Sequence, residues 1–195
     1  DVCSSDLGLQ VPTKNLNLAR RFLDSVSGGK HKGVYSYNNV GQHRIPRAPM
    51  VVVGMYCQQL FGIKPDDERQ IESAGWIAAH DWMPAPDQKV KFCGPYYYWY
   101  YGCLSMFLHG GKPWEKWNDK MKPIFLDKQQ DNGTWKPKGR HADREGTTIT
   151  TAYATLSLTV YYRYLPIFNG YRRVSDVNTN RGGSTFGPRK QRPGS

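Results

Sequence analysis

Two stretches of this chain repeat one another in register. Leu23-Asp24 closes an apolar-periodic segment and is followed by Gly33-Val34-Tyr35, while Leu126-Asp127 closes another and is followed by Gly133-Thr134-Trp135. From Gly33 to the apolar run that starts at Met50 is 17 residues, and from Gly133 to the run that starts at Thr150 is again 17. Gly54 and Ala154 therefore hold equivalent small-residue positions. A middle copy, with helices expected over Asp66–His80 and Tyr96–Gly110, puts Gly102 in the same role, and the three small residues set a period near 50 residues. Self-similarity at such a period marks stacked supersecondary units, none of which can bury its apolar face alone.

Each unit reads as a polar-faced helix, an irregular loop and a more apolar helix. The second helix of a pair is apolar nearly all round, as in Tyr96–Leu108 and Thr150–Leu165, so it needs cover on both sides. The first helix carries one apolar stripe: Leu18, Phe22 and Val26; Ile71, Trp76 and Ile77; Met121, Ile124 and Phe125, with Lys128 at the boundary. Pro65 and Asp66 open the second of these helices, with Asp67 and Glu68 in a first turn that favours acids. One pair cannot bury its inner helix, so neighbouring pairs must stack. The expectation is an all-α fold of about three helix-hairpin repeats with long loops. The period alone leaves open whether such a stack is a solenoid or a ring.

Composition narrows what the stack can bind. Hydrophobic residues make up 38% and aromatic residues 13%, which points to a core of large rings with a polar remainder. Of the net charge of +11, five units lie in residues 171–195, where Arg172, Arg173, Arg181, Arg189, Lys190 and Arg192 face Asp176 alone. That segment reads as a disordered basic tail. The other charges are scattered, without the aromatic-interleaved basic pattern of a nucleic-acid module, and no nucleic-acid partner is expected. No run approaches the roughly 18 apolar residues of a membrane span, and no basic start followed by an apolar run marks a secretory signal. Cys3, Cys57, Cys93 and Cys103 form no CxxC pair, and Cys57 and Cys103 sit in apolar runs, as buried free thiols do.

Gln129-Gln130-Asp131-Asn132-Gly133-Thr134-Trp135, at the end of a helix, resembles the Gln-Trp repeat of squalene-hopene cyclases and related proteins. In that family Gln stabilises a helix end and stacks on Trp. Gly133 suits a chain reversal after a helix, and the Trp135 ring needs cover and a partner for its N–H. Gly33-Val34-Tyr35 is similar to a degenerate copy. Ala152 to Phe168, AYATLSLTVYYRYLPIF, resembles the last inner helix of these cyclases. Pro95 to Gly111, PYYYWYYGCLSMFLHGG, resembles the corresponding helix of bacterial proteins with prenyltransferase or squalene-oxidase repeats. The resemblance covers about residues 15–168. It implies an α/α toroid, with inner and outer helices alternating around a central cavity. Three pairs are half of the number in such a ring, so residues 8–170 would be its C-terminal half and the missing N-terminal half its partner.

What the resemblance implies about chemistry is limited by one motif. These cyclases start their reaction with Asp-x-Asp-Asp, whose carboxyl is held protonated in a dry cavity, and no such motif occurs in this chain. Asp66-Asp67 follows Pro65 at a helix start, where acids cap. The implied ligand is a hydrophobic small molecule of polyprenyl type. Its cavity wall is sought in Tyr96, Tyr97, Trp99 and Tyr100, because ring faces stabilise cations. Six consecutive rings over Tyr96–Tyr101 point all round a helix, so two or three can face a cavity. His141, Asp143 and Arg144, with Glu145, cluster in the loop expected before the last inner helix, where a toroid places its cavity rim. Protein prenyltransferases share the toroid and bind zinc, but Cys93 and Cys103 with His80, His109 or His141 match no zinc spacing, so no metal or cofactor is expected. Two other classes compete: a non-catalytic binding or assembly toroid, and a carbohydrate-active one using carboxylates from Asp87, Asp131, Asp143 and Glu145.

Asp1-Val2-Cys3-Ser4-Ser5-Asp6-Leu7 fits no helix or strand pattern and equals one translation frame of the end of a common sequencing-library adapter. We read residues 1–7 as an assembly artefact, outside the fold. An open half-ring is expected to expose the flank of its first pair, around Leu18, Phe22 and Met50 to Leu60, and to associate through it.

Overall fold

The computed structural model describes residues 11–38, 46–80, 95–137 and 142–163. The first seven residues, the basic tail, His141, Cys3 and Cys93 lie outside these ranges. The described chain is mostly helical. Its elements are α1 (Thr13–Ser25), β1 (Ser27–Gly28), β2 (Val34–Tyr35), α2 (Ala48–Leu60), α3 (Glu68–Ala79), α4 (Pro95–His109), α5 (Gly111–Lys128), α6 (Ala142–Leu158) and α7 (Val160–Arg163).

Local chemistry sets the boundaries. Pro49 occupies the first turn of α2, where its missing N–H costs nothing. Asp67 caps α3, its carboxylate accepting the Arg69 N–H at 2.9 Å, with Glu68 in the first turn. The helix thus begins after Asp67 rather than at Asp66, because Asp67 is the acid that reaches the free amide. Gly110 alone separates α4 from α5, at φ 74°, a conformation that side chains disfavour. Gly146, at φ 64°, kinks α6 and sets its first turn apart from the inner helix that follows. The cluster expected in a loop at 141–145 therefore falls partly on helical backbone.

The helices form two layers. α2, α4 and α6 make an inner row with α4 in the middle; α3 lies against α2 and α4, and α5 against α4 and α6. Contacts advance the same way along α2 and α4. Tyr56 meets Tyr101, and one turn further on the Gln59 side-chain amide donates to the Ser105 carbonyl at 2.9 Å. The two helices therefore run in the same direction.

The close approach of these layers depends on the small residues of the repeat. A Cβ on Gly54 would run into the Tyr35 ring, and one on Gly102 into the Trp117 ring. Tyr35 arrives from the hairpin that precedes α2, whereas Trp117 arrives from α5, which follows α4. The repeated glycine thus receives a ring in both copies, from different elements. Val51, Val52, Met55, Leu104, Met121 and Phe125 close the core around them.

Several polar groups of this core are paired across helices. Gln70, fully buried on α3, donates to the Met55 carbonyl at 3.2 Å and accepts from Gln59 at 3.0 Å. With the Gln59–Ser105 bond, this joins α3, α2 and α4 through three hydrogen bonds, of which the buried Gln70–Met55 bond gains most from the exclusion of water. Glu72 on α3 holds the β1–β2 hairpin. Its carboxylate accepts the N–H groups of Lys30, His31 and Gly33 at 2.6, 2.9 and 2.7 Å. Ser73 donates to the Gly33 carbonyl at 2.5 Å, and a Cβ on Gly33 would strike the α3 backbone at Arg69.

Several stripe residues fall elsewhere than the periodicity leads one to expect. Leu18, Phe22 and Ile71 are exposed, while Val26, Ile77, Met121 and Phe125 are buried. Ile71 sits on the outer side of α3, because Gln70, Ser73, Ala74 and Ile77 form the face turned to the inner row. The exposed flank is likewise narrower than expected. Leu18 and Phe22 on α1 are open, but Val51, Val52 and Met55 of α2 are fully covered, and Met50, Val53 and Leu60 are half-buried. Among the described residues, no helix is long and apolar enough to cross a membrane.

Two outcomes follow. Gly102→Ala is expected to destabilise the protein by about 1–3 kcal/mol through the clash with Trp117, against the roughly 1 kcal/mol that alanine contributes in a helix. Gly75→Ala, with nothing within 4 Å of the added carbon, is expected to stabilise by about 0.5–1 kcal/mol. Urea unfolding of both variants checks the pair, and equal effects would refute the ring-on-glycine packing.

The second concerns pH. Burial on its own would raise the Glu72 pKa, but the amides of Gly33, His31 and Lys30, with the His31 charge, outweigh it and hold the carboxyl below its ordinary 4.5. A depressed native pKa gives stability that is complete above the unfolded value and lost as pH falls through the native one. Urea midpoints measured between about pH 3 and 7 should therefore fall below about pH 4.5, and Glu72→Gln should flatten that part of the profile.

Candidate functional site

Helical periodicity sorts the rings of α4 into opposite faces. Successive residues turn by 100°, so Tyr97, Tyr100 and Tyr101 share one side while Tyr96 and Trp99 lie on another. Tyr96 and Trp99 are buried against Phe125 of α5, with ring centroids 5.9 and 5.3 Å away. Tyr98, also buried, stands edge-on to Trp117 at 5.5 Å. Of the four cavity residues sought in the sequence, Tyr96 and Trp99 are thus core, and Tyr97 and Tyr100 are half-exposed.

The half-exposed face joins rings from all three inner helices. Tyr101 lies 4.9 Å from Tyr97, 5.1 Å from Tyr100 and 6.1 Å from Tyr56 of α2. Tyr153 of α6 closes the group, 5.4 Å from Tyr100 and edge-on to Tyr97 at 6.1 Å. The result is a wall of five tyrosines, each half-buried. Burial and the neighbouring Tyr100 and Tyr153 raise the Tyr101 pKa, and burial raises that of the adjacent Cys57 thiol. Near neutral pH both therefore stay uncharged. Neither α2 nor α4 contains an Asp or Glu. The wall can offer ring faces and hydroxyls, which suit apolar or cationic groups; its own helices α2 and α4 bring no carboxyl group.

Tyr56 and Tyr153 are absent from the sequence-based candidates, and Tyr101 enters there only as a member of the run Tyr96–Tyr101. A signal for two of them exists: Tyr101 and Tyr153 each directly precede the small residue of their repeat, Gly102 and Ala154. Asp143 and Arg144 belong to the turn of α6 before Gly146, where the backbone alone is described, and His141 lies outside the described residues.

Gln129, Gly133 and Trp135 form a compact hairpin at the end of α5. Gln129 and Trp135 pair as an antiparallel bridge, and the Gln129 side chain donates to the Gly133 carbonyl at 3.1 Å. Gly133, at φ 81°, makes the reversal. The Trp135 ring is buried, its Nε1–H donating to the Phe125 carbonyl at 2.8 Å and its backbone N–H to Thr151 at 3.2 Å. One ring thereby satisfies a carbonyl near the end of α5, where the next turn supplies no amide, and ties α5 to α6. Tyr35 holds the matching place in the first hairpin, where Ser27 pairs with Tyr35.

Two further groupings carry less chemistry. An open depression is lined by Lys30, His31, Lys32, Ile63, Asp67, Glu68 and Arg69. Its charges largely answer one another, His31 meeting Glu68 at 2.8 Å and Arg69 meeting Asp24 at 3.2 Å. Cys103 is fully buried, its thiol 3.4 Å from the Trp117 Nε1 and pushed up to about 12 by burial. Among the described residues no cluster of His, Cys, Asp or Glu could hold a metal ion.

Trp135→Phe keeps an aromatic ring but leaves the Phe125 carbonyl unpaired, which should cost about 1–3 kcal/mol. Urea unfolding measures it, and a loss below about 0.5 kcal/mol would mean that the bond is not needed. No protein-family model, curated protein or solved structure matches the chain, and the functional reading rests on the chemistry of the wall itself.

Proposed function

We propose that the chain is a helix-hairpin-repeat domain of the squalene-cyclase and prenyltransferase-repeat kind, forming about half of an α/α toroid. Its tyrosine wall binds a hydrophobic small molecule of polyprenyl type. The observation that carries this reading is the wall: Tyr56, Tyr97, Tyr100, Tyr101 and Tyr153 gather from three inner helices onto one half-exposed face. Buried residues need no such assembly of half-open rings, whereas an apolar ligand gains from displacing water over all of them. The alternation of inner and outer helices and the paired hairpins at Tyr35 and Trp135 support the toroid reading.

The described wall offers ring faces for binding, whereas the two enzymatic alternatives need groups beyond it. Acid-initiated cyclisation and glycoside hydrolysis both require carboxyl groups at the reacting centre. α2 and α4 carry none, and α6 carries none after Gly146. Titration with farnesol and with a linear oligosaccharide, followed by intrinsic fluorescence, separates the readings. Farnesol should bind, and Tyr97→Ala combined with Tyr101→Ala should weaken it about tenfold or more. Preference for the oligosaccharide, or farnesol binding untouched by the double variant, would sink this proposal. Far-UV circular dichroism confirms that the variant is folded.

A further inference from the structure

Tyr101 is the ring that the wall shares. Its centroid lies 4.9 Å from Tyr97, 5.1 Å from Tyr100 and 6.1 Å from Tyr56, and its phenol also senses Tyr153 and the Cys57 thiol. Packing alone would be served as well by phenylalanine, which presents a similar ring face without a hydroxyl to keep hydrated. Phenylalanine does stand on the other side of α4, where Phe125 is fully buried against Tyr96 and Trp99. At the wall all five rings are tyrosine.

Phenol groups in this chain differ in whether the protein answers them. Tyr161 on α7 is bonded to the Asn118 side chain of α5. The Tyr101 hydroxyl has no hydrogen-bond partner among the described residues. No carboxylate on α2 or α4, or on α6 after Gly146, is there to accept from it. Burial raises its pKa, with Tyr100 and Tyr153 adding to the rise, so at neutral pH it keeps a proton to donate.

Tyr101 is half-exposed, so solvent can reach it until something covers the wall. A hydrocarbon spread over the rings would strip that solvent and leave the hydroxyl unanswered, and the desolvation penalty would oppose binding. A ligand with an oxygen at that point would restore the bond in a drier place, where it is stronger. Sites that hydrogen-bond a ligand oxygen reject the analogue lacking it far more sharply than apolar surfaces discriminate by size.

We propose that Tyr101 is the specificity-determining residue of the wall: its hydroxyl donates to an oxygen of the ligand, so the site takes an oxygenated isoprenoid rather than an isoprenoid hydrocarbon. This inference rests on the tyrosine-wall reading and names the ligand class within it.

The test measures dissociation constants for farnesol and for farnesene, the same carbon skeleton without the hydroxyl, by tryptophan fluorescence. Wild type, Tyr101→Phe and Tyr97→Phe are compared through the ratio of the two constants, because each ligand's own transfer from water then cancels. Tyr101→Phe should shift the ratio toward farnesene by about tenfold, whereas Tyr97→Phe should leave it near the wild-type value. Both variants keep the ring, and circular dichroism checks that they keep the fold. A ratio unchanged in Tyr101→Phe, or shifted equally by Tyr97→Phe, would overturn the anchor while farnesol binding still upholds the wall. Failure of both ligands to bind wild type would overturn the wall reading and this inference together.

Discussion

Everything in this structure depends on aromatic rings lying where an inner helix has no side chain. Tyr35 occupies the space above Gly54, and Trp117 the space above Gly102. An inner helix that is apolar all round must be covered on every side, and large rings cover the most surface per residue. They can approach the helix axis only where a Cβ is absent. The glycines lose some helix propensity, about 1 kcal/mol each. In return the layers close on rings that bury far more apolar surface than a β-carbon could.

Once the layers are that close, the polar groups between them have few partners to choose from. The buried Gln70 and the half-buried Gln59 bond three helices together. Glu72 gathers three amides of the hairpin that carries Tyr35, and so helps to hold that ring over Gly54. Trp135 does both jobs at once, filling the core with its ring and closing α5 with its Nε1–H. Packing and hydrogen bonding are therefore not separate stabilising systems here. The same residues serve both, and loss of one partner should be felt in both.

The tyrosine wall follows from the same geometry. With one side of α4 given to Phe125 and another to Trp117, the remaining side holds Tyr97, Tyr100 and Tyr101. Because α2 and α6 flank α4 on that row, Tyr56 and Tyr153 come into ring contact with them. A face of five phenols suits apolar contact, with a few hydroxyl donors at its edge.

The repeat register, the alternation of polar-faced and apolar helices, and the small positions at Gly54, Gly102 and Ala154 were all legible in the sequence. They arise from local periodicity and composition, which the chain carries wherever it folds. The hairpin at Gly133 and Trp135 was legible for the same reason, since a reversal needs glycine and a buried indole needs an acceptor. The sequence could also say that only two or three of six consecutive rings would share an open face. Which ones did so was decided by tertiary structure. Tyr96 and Trp99 went to the core because α5 packs on that side of α4, and no spacing within α4 tells where α5 will lie. Exposure of Leu18, Phe22 and Ile71 was hidden likewise, because a stripe marks a face able to be buried, and only the neighbouring helix decides whether it is. The sequence by itself determined the unit and its periodicity, which are properties of a segment. The tertiary structure decided which faces meet, because burial is a property of pairs of segments.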